Sequence, residues 1–283
     1  MFKQKRMLLV FLLPGLIGLI LFYLAPFIYG IYFSVTDGTR VNAFVGLDNY
    51  RAVWRNEMFQ LGLKNTLELS LICAPLVFVS SFIIAALLRT FGKKTTFYRS
   101  ILLLPYLMPS AAVLIIFLLL FDIGGPLNRI VSSLGLERIL WKESEMMRVP
   151  VVVLYVWKNV GFSVVIFSSA MQSVPQALYE YASLEGAGRI RQEVSITLPF
   201  VLPTAFLVFV LSWINAFKIF KDVYFISGSY PDPTCYTLQH FMNNQFSKLN
   251  YQYVTTAAYS FAVIVIALFG VLAIIENRRR VRM

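Results

Sequence analysis

The chain has 283 residues, of which 58% are hydrophobic and only 14% charged, against about 25% charged in a soluble domain. The apolar excess comes in long blocks, which excludes a water-soluble globular fold and makes lipid the solvent. The net charge of +11 calls for basic loops beside a membrane rather than for nucleic acid.

Six apolar runs reach the ~20 residues that a helix needs to cross a bilayer. They are residues 7–35, 66–88, 101–121, 149–171, 199–226 and 253–275. The first follows Lys3, Lys5 and Arg6 but is too long for the apolar core of a signal peptide and lacks a small-residue cleavage site. It reads as a true membrane helix, bent at Pro14 and Pro26. Cys73 lies in the second run and reads as a small core hydrophobe, whereas Cys235 reads as a loop thiol; the two form no metal spacing and no disulfide framework.

Lysines and arginines set the orientation. With the N-terminus inside, the short connections at about 89–100 and 172–198 and the two chain ends carry thirteen cations: Lys3, Lys5, Arg6, Arg89, Lys93, Lys94, Arg99, Arg189, Arg191, Arg278, Arg279, Arg280 and Arg282. The longer outer loops, about 36–65, 122–148 and 227–252, carry nine. Positive density favours the inside, so both termini are expected in the cytoplasm. The expectation is an all-α integral membrane protein of six transmembrane helices, forming one transmembrane domain over residues 1–283 in a bacterial cytoplasmic membrane.

Catalytic chemistry is poorly provided for. Gly92-Lys93-Lys94-Thr95 lacks the upstream glycine of a phosphate loop. His240 is the only histidine and falls in an outer loop, so no histidine metal cluster or Ser–His pair can be built. Glu143 and Glu145 sit beside Lys142 and Arg148 as a solvated charge run. The chain reads as a non-enzyme that binds no cofactor of its own.

A polar segment, EYASLEGAGRIRQEVSITLPFVLP at 180–203, interrupts this apolar pattern. Ser173 or a neighbour can cap a short helix over 176–185 that starts near Pro175. Gly186 can take the left-handed conformation that ends it. A second short helix is expected over 189–196, and Pro199 is expected to start the fifth span. The pattern Glu180-x-Ala182-x-x-Glu185-Gly186-Ala187-Gly188, followed by Ile196-Thr197-Leu198-Pro199, resembles the EAA loop of binding-protein-dependent ABC transporter permeases, in particular the carbohydrate-uptake permeases similar to the maltose permease pair. Val45-Gly46-Leu47-Asp48-Asn49-Tyr50, Lys64-Asn65-Thr66-Leu67, Leu103-Leu104-Pro105 with Pro109, and Phe217-x-x-Phe220 leading to Ser227-Gly228 are similar to further motifs of that family. The resemblance covers most of the chain.

The resemblance implies that the loop at 172–198 is a coupling helix that docks on a cytoplasmic ATPase through Glu180, Ala182, Glu185, Gly186 and Ala187. Tyr181, Glu185, Ile190 and Glu193 depart from the family pattern and put the fit to a particular ATPase in question. It also implies a second permease subunit, two ATPase subunits holding ATP and Mg, and an extracytoplasmic solute-binding protein. Polar groups inside spans are expensive and mark function. Asn159 and Phe162 in the fourth span, and Asn215 and Lys218 in the fifth, are expected to line the substrate pathway. Asn215, Lys218 and Asp222 are spaced to share one helix face. Lys158, Lys221 and Asp222 either join that pathway or pair near the membrane boundary. The expected solute is a sugar, an oligosaccharide or a related solute, and Lys218 in the pathway would suit an acidic one such as a uronate oligosaccharide or a phosphate ester. The competing reading is a stand-alone ion-coupled transporter, which needs a carboxylate relay from Glu68, Asp122 or Asp222.

Overall fold

The computed structural model describes residues 2–39, 41–92, 95–143 and 145–280, with side chains from 11 to 274 within those ranges. Lys93, Lys94 and Arg282, and the side chains of Lys3, Lys5, Arg6, Arg278, Arg279 and Arg280, lie outside them. Among the described residues the regular structure is helical, apart from one isolated bridge between Thr36 and Phe44. Five helical stretches are long and apolar enough to cross a membrane, and a bent helix pair makes a sixth. Two units, residues 1–63 with 238–283 and residues 64–237, each have their own packing.

In the first unit, α1 (Phe2–Leu19) passes through a wide π-helical turn, Ile20–Leu24, into α2 (Ala25–Ser34). The cause is Pro26, whose ring crowds the carbonyl one turn back; the Ala25 N–H therefore reaches five residues back to Ile20 O. A short α3 (Asp48–Arg55) follows. Its Asn49 donates to the Ser34 and Thr36 carbonyls at 3.0 and 2.8 Å, which closes the loop after the first span. α14 (Leu238–Ser247) and α15 (Tyr251–Arg280) complete the unit. α15 packs on α2 where Gly30 admits the Tyr259 hydroxyl, which donates to Phe27 O. The outer surface of the first span, from Phe11 to Tyr29, is almost wholly exposed, as a lipid-facing helix requires.

The second unit is built on α4 (Glu57–Arg89), α5 (Thr95–Leu107), α6 (Ser110–Leu120), α7 (Pro126–Ser133), α8 (Arg148–Gln172), α9 (Gln176–Leu184), α10 (Arg189–Gln192), α11 (Leu198–Phe200), α12 (Leu202–Ala216) and α13 (Phe220–Ser227). The expected third span is not one rod. α5 and α6 meet at 92° across Met108 and Pro109. Proline pushes its predecessor out of helical geometry and cannot donate to the carbonyl of Pro105. The expected fifth span is also divided. After Pro199 the helix breaks at Val201, so the span starts at Leu202 rather than at Pro199. It breaks again between Ala216 and Phe220.

α8 is the central strut. A Cβ on its Gly161 would lie 1.7 Å from Leu102 O of α5, so the two backbones touch in the manner small residues allow in membranes. Phe167 of α8 meets Phe78 and Phe82 of α4 edge-on, each at 5.6 Å. Cys235 lies in a short turn of the connection, Pro233–Cys235, as a loop thiol would. It is buried in the same apolar cluster as Cys73, and burial pushes its thiol up to about 11.

Candidate functional site

The polar segment after α8 is a locked two-helix hinge. Ser173 does not cap the helix that follows; its hydroxyl turns back to Ala170 O at 2.7 Å, and Pro175 opens α9. Gly186 sits at φ 77°. The Gly186 N–H bonds Ser183 O at 3.0 Å, and the Ala187 N–H bonds Ala182 O at 2.9 Å. This pair of bonds is the Schellman termination, which needs a residue free to adopt positive φ. Gln192 then clamps the far side, donating to Ser183 Oγ and Ala187 O, both at 2.9 Å. The expected second helix over 189–196 begins as α10 and passes through a π-helical turn, Glu193–Thr197. The residue before Pro199, Leu198, bonds five back to Glu193 O, as Ala25 does before Pro26.

The inner face of this hinge is fastened to the membrane helices. Tyr179 is buried, and its hydroxyl shares a 2.8 Å bond with Thr197. The Arg89 guanidinium at the end of α4 lies 4.2 Å over the Tyr179 ring and pairs with Glu193. Glu193 therefore belongs to the inner clamp. The outer face carries Glu180, Glu185 and Gly186, all exposed, with Ala182 and Ala187 half-buried at the hinge. Tyr181, Leu184 and Ile190 are exposed to 70, 85 and 82% beside them. A groove of about 960 Å³ runs along this segment, walled by Glu180, Leu184 and Ile190 on one side and Ile83 and Leu87 of α4 on the other.

A second polar site lies within the spans. A cavity of about 250 Å³ is lined by Tyr106, Ser110, Tyr155, Lys158, Asn159, Asn215, Lys218, Ile219, Lys221 and Asp222. It opens where two helices break. α5 and α6 part at Pro109, and the fifth span tightens to three-residue bonds from Asn215 to Asp222, with Lys218 N–H on Asn215 O at 3.0 Å and Asp222 N–H on Ile219 O at 3.0 Å. Broken helices at membrane depth are tolerated where they border a cavity. Lys158 donates to Asp222 at 2.8 Å, with side chains 16 and 9% exposed, so these two pair inside the site. Asn159 donates to its own helix at Tyr155 O, and Lys218 reaches only Asn215 Oδ1 at 3.3 Å. Three of the expected pathway residues, Asn159, Asn215 and Lys218, thus share one cavity. Phe162 stands behind it, stacked on Tyr106 with centroids 4.8 Å apart and planes 13° apart. Sequence reasoning missed Tyr106, Ser110 and Tyr155, because no local pattern says that α5, α6 and α8 converge there.

The candidate relay carboxylates are occupied. Glu68 pairs with Arg148 at 2.9 Å, Asp122 with Lys142 at 2.8 Å, and Asp222 with Lys158. The Lys142 bond holds the Asp122 carboxyl below the usual carboxylate range. His240 is in α14 rather than a loop, and burial brings its imidazole down to about 4, so it is neutral at physiological pH.

Residues 78–281 match the model of the binding-protein-dependent transport system inner membrane component family. The chain belongs to that family. This permease is 29% identical to the diacetylchitobiose uptake system permease protein NgcF of Streptomyces coelicolor, over 98% of this chain and 84% of that one. It is 28% identical to the sn-glycerol-3-phosphate transport system permease protein UgpA of Pectobacterium atrosepticum, over 76% and 75% of the two chains. Its fold matches a chain of a bacterial ABC transporter involved in the import of the acidic polysaccharide alginate, at TM-score 0.82, 23% identity and coverage of 98% and 96%. The permease is accordingly a multi-pass inner-membrane transport subunit with the fold of the ABC importers.

Proposed function

We propose that this permease forms, with a second permease subunit, the membrane pathway of an ATP-driven importer for an oligosaccharide or related solute. An extracytoplasmic binding protein delivers the solute. Two ATPase subunits, which hold ATP and Mg, dock on the hinge at Glu180, Ala182, Glu185, Gly186 and Ala187 from the cytoplasm, where both termini also lie. The observation that carries this reading is the exposed apolar trio Tyr181, Leu184 and Ile190 on a hinge whose inner face bonds to the membrane helices. An apolar patch on a rigid, otherwise polar segment is a partner surface.

The cavity supports the solute class. Asn159 and Asn215 offer amide donors and acceptors to hydroxyls, and the Tyr106–Phe162 stack offers an aromatic wall. Asp222 offsets Lys158, which leaves Lys218 and Lys221 as surplus positive charge and favours an acidic glycan or a phosphate ester. The uptake system of NgcF and the alginate importer suggest the carbohydrate class. An ion-coupled mechanism lacks a free carboxylate among the three considered.

Copurification tests the docking. Glu180→Lys and Gly186→Pro should each release the ATPase and abolish uptake. Retained assembly and transport in both variants would remove the coupling assignment.

A further inference from the structure

A separate cavity of about 230 Å³ lies where α4 and α8 end and α5 begins, lined by Arg89, Gly92, Thr95, Arg99, Ser168 and Gln172 among others. It is smaller than the roughly 300–1,000 Å³ of drug-sized ligand sites. Among the described residues no carboxylate lines it. Three donor atoms of its lining residues are buried without a partner: Arg89 Nη1, Arg99 Nε and Ser168 Oγ. Ser168 is 2% exposed. Idle buried donors are costly.

The two arginines differ in their charge balance. Arg89 is balanced by Glu193. Arg99 has no carboxylate partner among the described residues. Its terminal nitrogens reach the Gln172 carboxamide oxygen at 3.1 and 2.8 Å, with the amide turned to accept. A neutral amide fills hydrogen bonds but cancels no charge. A water molecule could accept from the idle donors, and it too would leave Arg99 unbalanced. Thr95 begins α5, a helix of 13 residues, and a helix start adds free N–H groups and positive potential. Donors from three helices around a small space match a group with several acceptor oxygens and negative charge.

We propose that this cavity binds a phosphate group, carried by an anionic phospholipid headgroup or present as free phosphate. Arg89 joins the site to the hinge, because its other edge holds Glu193 and Tyr179. A bound phosphate would fix Arg89 and thereby the inner face of the hinge.

The assembled permease, reconstituted in nanodiscs, tests the site by native mass spectrometry and phosphate titration. The membranes are phosphatidylcholine alone or phosphatidylcholine with phosphatidylglycerol. A headgroup site retains phosphatidylglycerol against inorganic phosphate. A free-phosphate site binds inorganic phosphate in phosphatidylcholine alone. In either case Arg99→Gln should weaken binding by about tenfold or more, Arg99→Lys less, and Ser168→Ala several-fold. Should Arg99→Gln fail to assemble, Ser168→Ala, which removes a single oxygen, carries the test. Failure of the parent to bind either ligand would overturn the site, and so would equal binding by parent, Arg99→Gln and Ser168→Ala. The readout is binding rather than uptake, so it stands apart from the importer reading.

Discussion

Helix α8 sets a cation against a carboxylate at two places, and the two are built on opposite principles. At its start, Arg148 makes contacts to two other stretches of chain: it bonds Glu68 at 2.9 Å, Asn65 Oδ1 at 2.8 Å and Thr234 O at 2.7 Å. Asn65 in turn donates to the Pro233 and Tyr236 carbonyls at 2.6 and 2.9 Å. Further along, Lys158 and Asp222 pair inside a cavity whose neighbours Asn159 and Lys218 bond only within their own spans. The first cluster ties together three stretches of chain, its bonds spent between them. The second keeps polar groups in reserve beside open space. Residue types are nearly the same at both, so bonds spent between distant stretches mark a fastening, and bonds kept within one span beside a cavity mark a binding site.

Substitutions along α8 should separate the two. The largest effect is expected from Gly161→Val, which drives a side chain into Leu102 O and prises α8 from α5. Folded permease should be absent from the membrane, and normal abundance would refute the close contact. Next, Arg148→Met removes the bonds to Glu68, Asn65 and Thr234 from a partly exposed cluster, at a cost of about 2 kcal/mol, read as a lower thermal midpoint. The protein that survives should keep its solute preference; an altered preference would mean the fastening also selects.

Asp222→Asn should act in the reverse sense. It leaves Lys158 charged in a cavity that can hydrate it, so stability should fall by only about 1 kcal/mol while uptake falls about tenfold. A loss of stability as large as that of Arg148→Met would make the Lys158–Asp222 pair a second fastening. The smallest effect is expected from Lys218→Ala, an exposed residue whose loss should change stability by less than about 0.5 kcal/mol. Uptake of an acidic glycan should drop several-fold while that of a neutral one is kept. Equal transport of both by variant and parent would dismiss the acidic-solute preference.

The lipid-solvated helical fold could be read from the sequence, because a run of apolar residues long enough to span a bilayer has few alternatives. The hinge could be read as well. Glycine at 186 between short polar helices is a local signal, and its Schellman termination uses only neighbouring backbone. The prolines gave partial notice. Pro26 announced the π-helical turn in the first span, whereas Pro14 lies within an uninterrupted α1, and the 92° turn at Pro109 and the break at Val201 required the neighbours that accept the freed ends. The break after Ala216 had no signal, for neither glycine nor proline marks it. Glu193 looked like a departure on a docking face and proved to be half of the clamp on Arg89, a hundred and four residues away in sequence.

The sequence alone determined what local chemistry and solvent determine: the all-helical class, the approximate spans, the hinge, and the residue types Asn159, Asn215 and Lys218 that reappear around one cavity. Tertiary structure decided which charges meet. Lys158 could have reached for the membrane surface or for Asp222, and only the packing of α8 against the broken fifth span selected Asp222. Ion pairs and cavities are made by groups distant in sequence. Their partners are fixed by the balance of burial and bonding across helices, which no local pattern encodes.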